Sequence, residues 1–111
     1  MDKLIIKGGS KISGSVNVHG SKNSALPIIV SSLLSEKILK LSNVPNVVDV
    51  LNLIKLLENY GVKIEHKKNK LKINPSKIKN LSADYDVVRK MRASILILGP
   101  LLSRFGEAKI S

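Results

Sequence analysis

Apolar residues change their spacing several times along the chain, and the order of those changes restricts the fold more than any single residue does. Val47, Val50, Leu51, Ile54 and Leu57 recur at helical spacing, Lys55 and Glu58 fall toward solvent, and Gly61 stands at the stop position. Pro45-Asn46 followed by Asp49 predicts a start of the capping-box kind, with a shorter acid than the usual Glu. Beyond it, Val62-Lys63-Ile64-Glu65 and Leu71-Lys72-Ile73 alternate with period two on either side of Lys67-Lys68-Asn69, the pattern of a hairpin.

Upstream, Lys37-Ile38-Leu39-Lys40-Leu41 reads as a short strand. Before it, Asn23 or Ser24 can cap a helix through Leu34, with Pro27 in the first turn, where its missing N–H costs little. That helix is apolar nearly all round and is expected to be buried. Leu4-Ile5-Ile6-Lys7, the Gly8-Gly9 turn and Ile12 to Val18 predict an opening pair of strands.

From Val16 to Ile73 the order is strand, helix, strand, helix, strand, strand. Past a polar connector from Asn74 to Asp84, a third helix from Val87 to about Leu102, punctuated by Gly99-Pro100, and a strand from Glu107 to Ile110 start the unit again. The expected class is α/β, built from repeated βαβαββ units and incomplete in the second. A unit cut after its second strand leaves a bare edge and an uncovered apolar face unless more protein follows.

Composition excludes several functions. With 43% hydrophobic residues in 111, a real core is available. Cysteine is absent, and His19 and His66 are too few and too isolated for a metal cluster; a cytoplasmic setting fits. The apolar run Leu4-Ile5-Ile6 is too short for a signal peptide, and the longest uncharged stretch, Asn23 to Ser35, falls well short of the ~20 residues that cross a bilayer. The net charge of +11 raises nucleic acid as a partner, but all of the 19 cations except Arg89, Arg92 and Arg104 are lysines, scattered along the chain. Only Tyr60, Tyr85 and Phe105 could stack on bases. Such a spread describes a solvated surface, so neither nucleic acid nor membrane is an expected partner.

Two segments carry chemistry. In Gly20-Ser21-Lys22-Asn23-Ser24-Ala25-Leu26-Pro27 a glycine turn leads Lys22 to a helix entrance, where unpaired N–H groups, the helix dipole and an ammonium together make an anion cradle. The spacing is not that of a Walker loop, and a solvated turn lysine before a capped helix is the plainer alternative. Asn23 can cap that helix or offer a donor and an acceptor to a carboxylate or phosphate. In Arg89-Lys90-Met91-Arg92-Ala93-Ser94-Ile95, Arg92 projects about 100° from Met91, at the border of the apolar stripe. It can fork onto a phosphate or carboxylate, or pair with Asp84 or Asp86. Lys90 and Arg104 read as ordinary surface cations, and His19 as a structural strand-end histidine with nothing nearby to make it a base.

These residues carry a resemblance. Gly20 to Ile28, then Met91-Arg92-Ala93-Ser94-Ile95 and Leu98-Gly99-Pro100-Leu101, with Asn43-Val44-Pro45 and Arg104-Phe105-Gly106 also in place, closely resemble the N-terminal portion of the UDP-N-acetylglucosamine 1-carboxyvinyltransferase family, the enolpyruvyl transferases of peptidoglycan synthesis. The shikimate-pathway sister family continues its lysine motif with Ser and then Arg, so Asn23 and Ala25-Leu26-Pro27 favour the aminosugar branch.

The resemblance implies an inside-out α/β barrel in two lobes. Residues 1–20 would be strands of the other lobe, and residues 21–111 an incomplete lobe of one βαβαββ unit plus the start of a second. It implies that Lys22 and Asn23 help hold phosphoenolpyruvate, that Arg92 lies at the UDP-N-acetylglucosamine site, and that no cofactor or metal is used. The reaction implied transfers the enolpyruvyl group to the sugar 3-hydroxyl and releases phosphate. Family members are far longer: the loop with the proton-donating Cys or Asp begins just past Ser111, so no catalytic residue is expected within this chain. The rest of the enzyme is an expected partner, and these 111 residues alone are expected to be inactive. The alternative is a truncated, non-catalytic relative that serves as a binding or interaction module.

Overall fold

The computed structural model describes residues 2–79, 81, 88, 89 and 92–109, without the side chains of Arg92 and Ala93. Helix α2, Val48–Asn59, organises the rest: Val50, Leu53, Ile54, Leu56 and Leu57 are all buried. The stripe is rotated from the one expected, because Leu51 is 37% exposed and Leu53 and Leu56 take the inner face. Gly61 ends the helix with φ +96°, its N–H bonded to the Glu58 carbonyl at 2.9 Å and that of Val62 to the Leu57 carbonyl at 3.2 Å. A Cβ at Gly61 would also press on the Lys77 carbonyl oxygen, 2.9 Å away, so the position needs glycine twice over.

Strands β1 (Leu39–Leu41), β2 (Lys63–Lys67) and β3 (Lys70–Asn74) form one antiparallel sheet in the order β1-β3-β2. Lys67 pairs with Lys70 across the Lys68-Asn69 turn, Ile64 with Ile73, and Leu39 with Ile73 on the other edge. Period-two alternation turns Leu71 and Ile73 inward and Lys40, Lys63, Lys67, Lys70 and Lys72 outward, with Glu65 among them.

Helix α1, Lys22–Ser31, continues into a 3₁₀ turn, Ser32–Leu34. It starts before Asn23, at a cap position filled by Ser21, and Pro27 is its sixth residue rather than part of the first turn. There the proline denies the Asn23 carbonyl its helical N–H partner. The helix is one-sided rather than enclosed: Ala25, Leu26, Ile29 and Val30 are buried, while Ile28 and Leu34 are 46% and 55% exposed.

A 3₁₀ segment, Arg92–Ile97, leads into α3, Leu98–Phe105, in place of the described part of one long helix; Val87, its expected start, lies outside the described residues. Gly99-Pro100 does not interrupt α3 but occupies its first turn, where the N–H that proline lacks would have no helical partner. Gly106, at φ +75°, closes it. Of the strand expected from Glu107, one backbone bond is described, the Lys109 N–H donating to the Leu81 carbonyl at 3.1 Å, and Ala108 packs against the core.

Arg104 is not the surface cation expected. Its side chain is 12% exposed, and Nη1 donates to the carbonyls of Leu33 (3.2 Å), Ser35 (3.2 Å) and Pro75 (3.1 Å). The arginine thereby ties α3 to the end of the 3₁₀ turn after α1 and to the exit of β3, satisfying carbonyls that no helix or strand ladder serves. Ile97 and Leu101 complete one core with Ile29, Leu33, Leu53, Leu57 and Ile73.

The α/β class holds, as a helix–strand–helix–strand–strand unit followed by the first helix of another. The opening pair of strands does not: residues 2–20 carry no strand, and Leu4, Ile12 and Val18 stand 86%, 96% and 84% exposed. Two strands alone are marginal in water, and the sheet β1-β3-β2 includes no residue of this segment. No described helix is long and apolar enough to cross a membrane.

Candidate functional site

Two helix entrances converge. At the first, Ser21 is extended (φ −79°, ψ 134°), its carbonyl accepts from the Ala25 N–H at 2.9 Å, and its hydroxyl makes no capping bond. The first-turn amides of α1 therefore point out of the helix with its positive dipole end, and Lys22 and Asn23 are the first two residues there, both exposed. At the second entrance the Val47 carbonyl accepts from Val50 at 3.0 Å and Leu51 at 3.1 Å, and Asp49 lies in the first turn of α2.

An ion pair joins them: Lys22 Nζ stands 2.8 Å from Asp49 Oδ2, with the side chains 49% and 42% exposed. The expected capping box at α2 is absent because valine occupies the cap position and the acid is turned to the lysine. A pair this exposed is worth about 0.2–1 kcal/mol and breaks readily. The charges are unequally placed, since Asp49 sits well with the dipole of its own helix while Lys22 adds positive charge to the positive end of α1.

Asn43 holds the approach to Lys22. Its backbone is left-handed (φ 56°), a conformation asparagine tolerates; the Gly20 N–H donates to its Oδ1 at 3.2 Å, and its Nδ2 donates to the Val18 carbonyl at 3.2 Å. Gly20 was expected to permit a tight turn, but its requirement is space: a Cβ there would overlap the Asn43 carbonyl oxygen and lie 3.2 Å from Pro45 Cδ. The Val44 N–H donates in turn to the Asn69 carbonyl at 2.9 Å, so the hairpin turn supports the same clamp. Gly20, Ser21, Ser24, Asn43 and Pro45 line a small cleft beside α1.

Asn23 does not cap α1, being inside it. The side chain of Arg92 lies outside the described residues, as do Asp84 and Asp86, and the backbone of Arg92 opens the 3₁₀ segment. Lys22 and Asn23 are thus together in the first turn of α1. His19 is exposed in the extended segment before Gly20, at no strand end. Among the described residues no group of three or more His, Cys, Asp or Glu could hold a metal ion.

Sequence reasoning missed two residues of this site. In sequence Asp49 reads as the acid of its own helix start, and only the tertiary approach of α1 turns it to Lys22. Asn43 carried a visible signal, an asparagine before Val-Pro, which is a common carrier of a left-handed turn.

A UDP-N-acetylglucosamine 1-carboxyvinyltransferase of Sulfurovum sp. (strain NBC37-1) is 52% identical over 111 residues, covering 100% of this chain and 26% of that protein. One of Campylobacter hominis is 53% identical over 112 residues, covering 100% and 27%. The chain therefore spans about a quarter of the length of these relatives. Among solved structures, the enolpyruvyl transferase NikO from Streptomyces tendae superposes with a TM-score of 0.76 at 22% identity, over 91% of this chain and 24% of that one, a likeness of fold. Residues 6–111 match the EPSP synthase (3-phosphoshikimate 1-carboxyvinyltransferase) family, and the chain belongs to it.

Proposed function

We propose that this chain supplies one wall of an enolpyruvyl transferase that moves the enolpyruvyl group of phosphoenolpyruvate to the 3-hydroxyl of UDP-N-acetylglucosamine, with release of phosphate, in cytoplasmic peptidoglycan synthesis. The observation that carries the reading is the pairing of Lys22 with Asn23 in the first turn of α1, within a chain about half identical along its whole length to proteins of that name. In this reading the ammonium, the Asn23 amide and the free first-turn N–H groups receive the phosphate and carboxylate of phosphoenolpyruvate, and Arg92 serves the UDP-sugar. The exposed arm of residues 2–20 joins the other lobe, and the remainder of the enzyme is the partner that completes the cleft. The exposure of Leu4, Ile12 and Val18 also supports a second reading, a non-catalytic relative that docks a partner through this arm.

The test is phosphate release. The 111-residue chain with both substrates releases none, and a full-length transferase carrying these residues at its N-terminus releases phosphate, losing it on Lys22→Met. Turnover by the short chain alone, or full activity of the Lys22→Met enzyme, contradicts the proposal.

A further inference from the structure

We infer that Asp49 is the resident counter-ion of Lys22, a competitor that an incoming phosphate group must displace; the inference rests on the reading of Lys22 as the phosphoenolpyruvate contact. A lysine in the first turn of α1 is repelled by the positive end of its own helix, so an acid close by readily captures its ammonium. Asp49 Oδ2, at 2.8 Å, does so here. The acid is anchored independently, in the first turn of α2, where the dipole of that helix favours its charge. A dianionic group arriving at the free amides of α1 therefore finds a lysine already in place, and the lysine turns from Asp49 to the ligand while Asp49 stays with α2. Both side chains are about half exposed, so the exchange requires no opening of the core.

Competition of this kind has a definite sign. Removing the charge of Asp49 removes the competitor, and for an exposed pair that corresponds to inorganic phosphate binding about 1.4- to five-fold tighter. The experiment titrates the chain with inorganic phosphate and follows the amides of Ser21 to Ser24 by NMR, in wild type, Asp49→Asn, Asp49→Glu, Lys22→Met and the Asp49→Asn/Lys22→Met double variant. Asp49→Asn should tighten binding by that factor, Asp49→Glu should return it to the wild-type value, and Lys22→Met should abolish the response in both backgrounds. A purely structural Asp49 would change stability and leave the phosphate affinity of the folded protein unmoved. Unchanged or weaker binding in Asp49→Asn, with Lys22 still required, overturns the counter-ion inference and leaves the phosphoenolpyruvate reading standing. Binding that survives Lys22→Met, or no binding by any form, overturns both. Should Asp49→Asn fail to fold, the wild-type chain decides: Lys22 Nζ and Asp49 Cγ resonances must shift together along the titration, and an Asp49 Cγ that stays fixed while Lys22 Nζ moves overturns the inference.

Discussion

Arg104→Ala removes the tie between α3, the 3₁₀ turn after α1, and the exit of β3. Its Nη1 faces three carbonyls at 3.1–3.2 Å but carries two hydrogens, so two directed bonds, one of them shared, are the most it makes. Bonds to a charged donor are worth about 1.5–3 kcal/mol each, and these lengths at the long end of the N–H···O range argue for the lower figure, about 3 kcal/mol for the two. The Glu36 carboxylate at 3.5 Å belongs to a side chain 80% exposed and adds under about 0.5 kcal/mol. Arg104 also lies 4.9 Å from the Phe105 ring centroid, worth about 0.5 kcal/mol at this partly exposed position. Urea unfolding followed by far-UV circular dichroism should therefore show Arg104→Ala losing about 3.5–4 kcal/mol, Arg104→Lys roughly half of that, and Glu36→Gln under about 0.5 kcal/mol. An Arg104→Ala variant as stable as Glu36→Gln would refute the reasoning, because the three carbonyls would then be satisfied without the arginine.

Gly20→Ala drives a methyl group into the Asn43 carbonyl, lifts the segment before Lys22 and breaks both Asn43 amide bonds, at a cost of about 1–2 kcal/mol; unchanged Asn43 side-chain amide resonances in the variant would show that the clamp is not needed. Burial raises the Tyr60 phenol above its ordinary value of 10.0. Its contribution is thus complete below the unfolded value and is lost as the pH climbs through the folded one, because the unfolded chain ionises first. Wild type should accordingly lose stability faster than Tyr60→Phe above about pH 10, and parallel pH profiles of the two would contradict this. Leu53→Ala, at a fully buried site of α2, should cost about 2–5 kcal/mol by chemical denaturation, and a loss below about 1 kcal/mol would place Leu53 outside the core.

Local patterns carried much of this fold into view. The period of α2, the Gly61 stop, the strand at Leu39 and the hairpin about Lys68-Asn69 all depend on neighbours in sequence, and all stand within a few residues of expectation. What escaped depends on distant groups. Asp49 has a sound role at its own helix start until α1 brings Lys22 within 2.8 Å, and Arg104 looks solvated until three carbonyls from other segments close around it. The alternation from Ile12 to Val18 is a true strand pattern, yet a strand needs a partner, and this segment pairs with none of the described strands. Pro27 illustrates the converse: tertiary packing of Ala25, Leu26, Ile29 and Val30 carries α1 through a residue that local rules would keep to the first turn.

The central claim is that the start of α1 is an anion site made by Lys22, and titration of the chain with phosphoenolpyruvate, followed residue by residue by NMR, tests it most directly. The account predicts weak, saturable shifts confined to Gly20 through Ser24 and the Lys22 ammonium, all absent in Lys22→Met. Shifts spread over Lys40, Lys63, Lys67, Lys70 and Lys72 on the outer face of the sheet, with Lys22 unmoved, would contradict it.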